Sequence, residues 1–199
     1  DGCGVLTFQV PLHALASAFA RLARGAWTGE RGPAEIFAAM ARHPEYVAGT
    51  DRLCTDVMRV TGGRIIAKFG AEGVYCAAVP EQGLGIAIKV EDGARRAVDS
   101  ALVGTLRALG LLSEAEYGAL QRHGEPASLH TRGGEVGRVR PGVRRERHGD
   151  GVGPVEDVPG LGAGRAGVAR VLALGHVAAD GGVGGRALDE AVLAEEDAA

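Results

Sequence analysis

Apolar residues in the first part of the chain recur every three or four positions, the period of a helix that buries one face. After the first stripe, Gly25 stands where a helix-ending glycine is expected. A second helix is predicted to begin at Pro33 and to end before Pro44. The first stripe consists of Leu12, Leu15, Phe19 and Leu22.

The next stretch predicts a third helix, which ends at the glycine pair Gly62-Gly63. Either Thr50 or Asp51 can supply the side-chain oxygen that caps its N-terminus. Since Cys54 falls on the inward face, its thiol is expected to be buried. That face is formed by Leu53, Cys54, Val57 and Met58.

The period changes after Gly63, where three short apolar runs are separated by tight turns. Runs 64–69, 74–79 and 84–90 are rich in β-branched and aromatic residues, and glycines stand in the turns between them. Short turns join neighbouring antiparallel strands, so the three runs predict an antiparallel meander.

Helical periodicity returns after the last run. Asp92 is predicted to cap a long helix, and Ser113 with Glu116 fits a capping box that starts a shorter helix. The fold class is therefore α/β of the α+β kind, an antiparallel sheet covered by helices. One covering helix would leave the core incomplete, so a partner segment is expected. The inward face of the long helix is formed by Ala97, Ala101, Leu102, Leu106 and Leu109.

Composition narrows the class of protein. The chain has 199 residues and a net charge of −3, which allows one domain with a core and does not favour a nucleic-acid partner. No apolar run approaches the ~20 residues of a membrane-spanning helix. Three cysteines, an odd number, favour free thiols in the reducing cytoplasm. Because the chain starts at Asp1 and not at methionine, we expect a fragment whose true start is missing.

The amino-acid composition changes along the chain. All eight aromatic residues lie at or before Tyr117, and the segment 142–199 is rich in glycine, alanine and arginine. Such a segment buries little surface to offset the entropy cost of ordering. We predict that 1–141 is a domain and that 142–199 is a tail, either disordered or translated out of frame. The alternative is a genuine linker followed by a helix at 187–199 that binds a partner.

Lys68 is the most informative candidate for chemistry. It lies near the end of an apolar strand, where alternation places it on the same face as Ile66. Partial burial there would favour the neutral form of the lysine, which suits a proton acceptor. The triplet Lys68-Phe69-Gly70 is similar to the Lys-Thr-Gly strand of serine β-lactamases, with phenylalanine in place of threonine. A lysine that extends from the strand end into solvent is the alternative.

Cys3 lies in a flexible Asp-Gly-Cys-Gly loop, where it could act as a metal ligand or a nucleophile. A tetrahedral zinc site takes about 3–4 protein ligands, and one cysteine cannot form it. A structural role is therefore favoured from the residues alone. Cys76, within the second strand, is expected to be buried.

The chain contains no Ser-x-x-Lys pair. Serines occur at positions 17, 100, 113 and 128, and none precedes a lysine by three positions. The activated serine that a β-lactamase-type strand would accompany is thus absent from this sequence. From the residues alone, the chain is part of a mixed α/β domain.

Ordered segments along the chain match one family. Through them the chain resembles the bacterial L-asparaginase II family, of the inducible rhizobial type. The resemblance implies the C-terminal part of a serine β-lactamase-like, or penicillin-binding-protein-like, domain. The segments are Asp-Gly-Cys-Gly at 1–4, His-Pro-Glu at 43–45, Ala-Lys-Phe-Gly-Ala-Glu-Gly-Val-Tyr at 67–75, Gly-Leu-Gly-Ile-Ala-Ile-Lys at 83–89 and a weaker match at 132–141.

The resemblance implies hydrolysis of L-asparagine to L-aspartate and ammonia through a serine acyl-enzyme, with two Ser-Lys tandems. Lys68 then matches the lysine of the second tandem, Cys54 an active-site cysteine and Asp1 an active-site aspartate. Cys3 matches a cysteine ligand of the family's zinc site, whose other protein ligands lie upstream, as both serines do. The implied partner is L-asparagine, with no nucleic acid and no membrane, and a homodimer stays open.

Without the serine, this polypeptide is expected not to hydrolyse asparagine by itself. One alternative is a non-catalytic remnant that binds a partner or a metal. Another is part of a penicillin-binding-type serine hydrolase, which rests on the triplet at Lys68 and on the expected fold. Asparaginase activity after addition of the N-terminal half would distinguish the family enzyme from a non-catalytic remnant. Preference for asparagine over a β-lactam would distinguish it from a penicillin-binding-type hydrolase.

Overall fold

The computed structural model describes residues 4–141 and three short tail strands, with helices on both sides of an antiparallel sheet. The predicted mixed α/β class, a sheet covered by helices, is confirmed. The helices are α1 (Leu12–Thr28), α2 (Arg31–Arg42), α3 (Pro44–Ala48), α4 (Leu53–Val60), α5 (Arg95–Ala108) and α6 (Glu114–Gly124). The strands are β1 (Ile66–Gly70), β2 (Val74–Val79), β3 (Leu84–Val90), β4 (Ala127–Leu129), β5 (Glu135–Arg138), β6 (Ala169–Arg170), β7 (Leu174–Val177) and β8 (Val183–Arg186).

The predicted meander is formed by β1, β2 and β3, which pair in antiparallel register. Glu72 and Gly73 both have positive φ angles in the turn between β1 and β2, a conformation that tight hairpin turns require. The sheet order is β1-β2-β3-β7-β8, and β6 also pairs with β3. The predicted disorder or frame change of the tail falls mostly on residues outside the described part and stays a prediction.

Helix α1 covers one face of the sheet because Gly85 of β3 has no side chain. A Cβ at Gly85 would overlap the carbonyl oxygen of Ala16 and the backbone nitrogen of Ala20, so the helix backbone rests on the strand. Both alanines are fully buried. The prediction of a single covering helix is therefore wrong, because α1 also lies on the sheet, with Ala16, Ala20 and Ala23 fully buried. The expected partner segment stays a prediction.

Helix α5 covers the opposite face, as the sequence predicts. Alternation along β3 directs Ile86 and Ile88 to this face, where they pack with Leu102 and Leu106 of α5 in the main core. The capping box of α6 is also confirmed, because the Ser113 hydroxyl accepts from the Glu116 amide and the Glu116 carboxylate accepts from the Ser113 amide.

The end of α1 differs from the prediction. The helix continues through Gly25 to Thr28, and Gly29 takes the left-handed conformation with φ 78°. Gly25 serves the packing between α1 and α2, since a Cβ there would lie 2.6 Å from Cγ of Pro33. A glycine that permits a close helix crossing has the same appearance in the sequence as one that ends a helix.

Two predicted caps are also wrong in detail. The N-cap position of α4 is Arg52, with no side-chain hydrogen bond, so neither Thr50 nor Asp51 caps this helix. The Asp92 carboxylate accepts from the Ala94 amide at 2.8 Å and so stabilises the turn before α5. Helix α4 therefore depends on tertiary contacts for its position.

Candidate active site

The outer edge of β1, which ends the order of the described strands, brings two candidate residues together through the main chain of Phe69. Alternate residues of an edge strand direct both their N–H and C=O groups away from the sheet. The Phe69 amide donates to Sγ of Cys54 at 3.2 Å, and the Phe69 carbonyl accepts from Nζ of Lys68 at 2.5 Å. Cys54 and Lys68 thus contact the two peptide groups of one residue.

Cys54 is held from a second side by Tyr75. Its Sγ lies 2.9 Å from the Tyr75 hydroxyl, and both side chains are buried, which confirms the predicted burial of this cysteine. The Tyr75 ring packs edge to face on the Phe69 ring with centroids 5.8 Å apart. Burial and the adjacent Cys54 raise the pKa of the Tyr75 hydroxyl far above its usual range, so this group stays protonated.

Lys68 is exposed, which agrees with the alternative of a lysine that extends from the strand end and not with partial burial. The physical reason is that α1 lies over β2 and β3 and leaves the edge strand β1 open on this face. Across the strand pair, Lys68 is the partner of Cys76. Burial raises the pKa of the Cys76 thiol to about 12 although the Lys68 ammonium opposes this shift, so Cys76 is a neutral thiol at physiological pH. Its predicted burial is confirmed.

Charged groups of α5 lie beside the Phe69 ring. The Asp99 carboxylate is mostly buried and its Oδ2 lies 3.6 Å from Nε of Arg95, whose guanidinium stands 5.5 Å from the Phe69 ring centroid. Burial raises the pKa of Asp99 to about 6, and the charges of His123 and Arg52 oppose the shift. An Asp99 carboxylate and an Arg95 guanidinium therefore lie together on the side of Phe69 that faces α5.

Sequence reasoning missed the part played by Tyr75 and Asp99. Tyr75 belongs to an apolar strand pattern and Asp99 to a helix with charges on its outer face, so neither pattern marks a site. Tyr75 is recognised as part of the site only by its contact with Cys54, and Asp99 only by its buried position in α5. Both features depend on the fold.

Asp1 and Cys3 lie outside the described residues, so their predicted roles stay predictions. Within residues 4–141 and the tail strands, no three His, Cys, Asp or Glu side chains are placed to hold a metal ion. No helix of the described part is long and apolar enough to cross a membrane.

Comparison with known proteins identifies one family. The sequence profile of L-asparaginase II matches residues 1–141 of the 199-residue chain. No curated protein matches the chain significantly. The matched range includes the Cys54–Phe69–Lys68 arrangement and all of α1 to α6.

Proposed function

The chain belongs to the L-asparaginase II family, and from this we propose that it contributes Lys68 and Cys54 to a site that hydrolyses L-asparagine to L-aspartate and ammonia. The observation that carries the proposal is the attachment of both side chains to the Phe69 peptide groups at the outer edge of β1.

The proposed reaction passes through a serine acyl-enzyme. A serine hydroxyl attacks the side-chain amide carbon of asparagine, its proton passes to the leaving nitrogen, and ammonia departs. Water then hydrolyses the ester, which releases aspartate and regenerates the serine. Because this chain has no Ser-x-x-Lys pair, the nucleophile must come from residues outside it.

Within this proposal, Lys68 is the lysine of the second Ser-Lys tandem. Its exposed ammonium, held by the Phe69 carbonyl, can exchange a proton with a serine hydroxyl placed against the strand edge. Cys54 lines the same edge, where the Phe69 amide and the Tyr75 hydroxyl fix its sulfur. Asp1 is proposed to complete the site on the family resemblance alone.

Zinc binding at Cys3 is a proposal that rests on the same resemblance. A tetrahedral site needs about 3–4 protein ligands, so tight binding requires ligands from outside the described residues. In a protein completed by those ligands, we expect Cys3→Ser to weaken zinc affinity at least about tenfold. Cys76→Ser is the matched control, because the Cys76 thiol is buried and neutral. Equal zinc affinity of the Cys3 variant and the unaltered protein would exclude Cys3 as a ligand.

Ammonia release tests the proposed function. The pure chain is expected to release no ammonia from L-asparagine, and release should begin when a polypeptide with the family's Ser-x-x-Lys segment is added or co-expressed. Lys68→Ala should then lower kcat by about 10²–10⁴-fold, the usual contribution of a proton-transfer group. Lys89→Ala is the control, since Lys89 donates to the carbonyls of Glu72 and Val90 and not to Phe69.

Three results would contradict parts of this proposal. Ammonia release by the pure chain that Lys68→Ala abolishes would show that no external serine is needed. Full activity of the Lys68 variant in the completed protein would remove this lysine from the mechanism. Turnover of a β-lactam in preference to asparagine would favour a penicillin-binding-type hydrolase.

A further inference from the structure

Two carboxylates flank Cys54 in the sequence, and one arginine binds both. Nη1 of Arg122, in the last turn of α6, donates to Oδ1 of Asp51 at 3.0 Å. Nη2 of the same guanidinium donates to Oδ2 of Asp56 at 2.6 Å. We call this bridge from Arg122 to Asp51 and Asp56 the clasp. Arg122 is far from both aspartates along the chain, so the clasp exists only in the folded protein.

His123 strengthens the clasp at Asp56. Its Nε2 lies 2.6 Å from the same Oδ2 that Arg122 binds, and the exposed fractions of the two side chains are 11% for His123 and 18% for Asp56. Burial acts to raise the pKa of Asp56, but the hydrogen bonds from Arg122 and His123 outweigh it and hold the pKa below its ordinary value. Asp56 is therefore charged near neutral pH, when both partners can bind it.

The end of α6 that carries the clasp is itself fixed to α5. The Ser100 hydroxyl donates to the carbonyl of Gly124 at 2.6 Å in a buried position. A Cβ at Gly124 would lie 2.8 Å from Cγ1 of Val103, so the two helices meet closely at this glycine. Arg122 and His123 therefore extend from an anchored turn, and they can hold α4 in place.

Helix α4 needs such a hold. It spans Leu53–Val60, and its N-cap, Arg52, forms no side-chain hydrogen bond. An uncapped helix of this length has little stability of its own. Asp51, just before it, has φ 56°, a left-handed conformation that is costly for residues other than glycine and least so for Asp and Asn. The Arg122 guanidinium bonds the side chain of this residue at the point where the chain enters α4.

We propose that Arg122 and His123 are positioning residues, which clasp Asp51 and Asp56 and thereby hold the sulfur of Cys54 on the Phe69 amide. A guanidinium suits this task because its planar fork reaches two carboxylates at once. The consequence for catalysis rests on the proposed function, whereas the positioning of Cys54 does not.

Hydrogen exchange of the Phe69 amide in the full chain tests the clasp, because this proton is bonded to Cys54 Sγ. By NMR, Arg122→Gln is expected to increase the exchange rate at Phe69 about tenfold, equal to about 1.4 kcal/mol. Amides of β2 and β3 should change much less. Arg64→Gln is the matched control, since Arg64 forms a 2.6 Å ion pair with Glu116 on the same helix and is similarly exposed.

Two milder variants keep the test informative if Arg122→Gln does not fold. Asp51→Asn retains a residue that tolerates the left-handed conformation and removes one carboxylate of the clasp, so a smaller increase at Phe69 is expected. Arg122→Lys keeps the charge but cannot bridge two carboxylates, and it should fall between Arg122→Gln and the unaltered chain. Unchanged exchange at Phe69, or an equal increase at the β2 and β3 amides, would overturn the proposal.

The positioning of Cys54 and the proposed function can fail separately. If Phe69 responds as expected but no ammonia is released in the completed protein, the clasp stands and the proposed function falls. If ammonia is released, Arg122→Gln should lower kcat several-fold with a smaller change in KM, because it displaces Cys54 and removes no substrate contact. Active protein with an unresponsive Phe69 amide would reject the clasp alone.

Discussion

At the scale of single residues, the main chain of Phe69 organises the candidate site. Its amide and carbonyl hold Cys54 and Lys68, while its ring packs on Tyr75 inside the fold. Because the polar contacts come from peptide groups, the identity of the side chain at this position is free to serve packing.

Tyr75 is expected to stabilise the fold through its hydroxyl. Tyr75→Phe removes the hydrogen bond to Cys54 in a buried place, which should lower the free energy of unfolding by about 1 kcal/mol. Urea unfolding measures the difference. Tyr46→Phe serves as the control, because Tyr46 is 87% exposed and should show no change. Equal unfolding free energies of the Tyr75 variant and the unaltered chain would contradict the buried hydrogen bond.

Asp99 is expected to make stability fall as pH rises. Burial raises its pKa from 3.8 to about 6, so between these values the folded state keeps a proton that the unfolded state has lost. Above pH 6 the folded state carries the full cost of a buried charge. Asp99→Asn should therefore raise the free energy of unfolding above pH 6, by an amount on the order of 2 kcal/mol. A pH series of urea titrations checks this, and parallel curves for the two proteins would contradict it.

Asp56 is expected to behave in the opposite way. Its pKa lies below the ordinary value, so its ionised form stabilises the fold above pH 3.8 and this contribution is lost as pH falls through the folded pKa. Asp56→Asn should lower the free energy of unfolding at pH 7 and should matter little in strong acid. The same titrations give the result, and a variant as stable as the unaltered chain at pH 7 would speak against a charged Asp56.

At the scale of elements, the contact of α1 with β3 decides how the sheet is covered. The helix backbone reaches the strand because Gly85 faces Ala16 and Ala20 without a side chain between them. The same contact leaves β1 open, and this is why Lys68 is exposed. The site and the core are therefore consequences of one helix position.

Gly85→Ala should displace α1. The added methyl group meets backbone atoms that cannot rotate away, so we expect a loss of about 2–3 kcal/mol in the free energy of unfolding. Gly118→Ala is the matched control, since Gly118 lies in α6 with open space around it. Because alanine favours the helix, this change should raise the free energy of unfolding by about 0.5–1 kcal/mol. Urea titrations of both variants decide the matter. A Gly85 variant as stable as the unaltered chain would mean that α1 lies further from β3.

At the scale of the whole molecule, the family match ends at residue 141, while β6, β7 and β8 lie beyond it and extend the sheet from β3. The two-part organisation of the chain stays a prediction, as do a cytoplasmic location and a homodimer. Proteolysis can separate a domain from its tail, because cleavage follows local unfolding.

Limited proteolysis is expected to cut first within 142–199, since this segment has few large apolar side chains to bury. Mass spectrometry should then show a resistant product that ends near Pro141. A resistant product that retains 174–186 would instead show that β7 and β8 are stable parts of the sheet, and would contradict the predicted boundary.

Much of the fold could be predicted from local patterns, and less of the site. The β1–β3 meander, α5 and the Ser113 capping box depend on short-range periodicity and turn chemistry, and these predictions are confirmed. Cys54 and Lys68 were assigned functional roles through the family resemblance. Tyr75, Asp99 and Arg122 carry no local pattern of a site, because their contacts join elements that are distant in the sequence.

The sequence by itself determined the types of element, the burial of Cys54 and Cys76, and the family, because periodicity and ordered motifs are local properties of the chain. Only the tertiary structure decided the exposure of Lys68, the covering of both sheet faces and the clasp of Arg122. These features depend on which surfaces, distant in the sequence, pack together. At Gly85 and Gly124 the close packing is possible because glycine has no side chain. A glycine at a helix crossing is indistinguishable in the sequence from one in a turn, and its effect appears only when the partner backbone is in place.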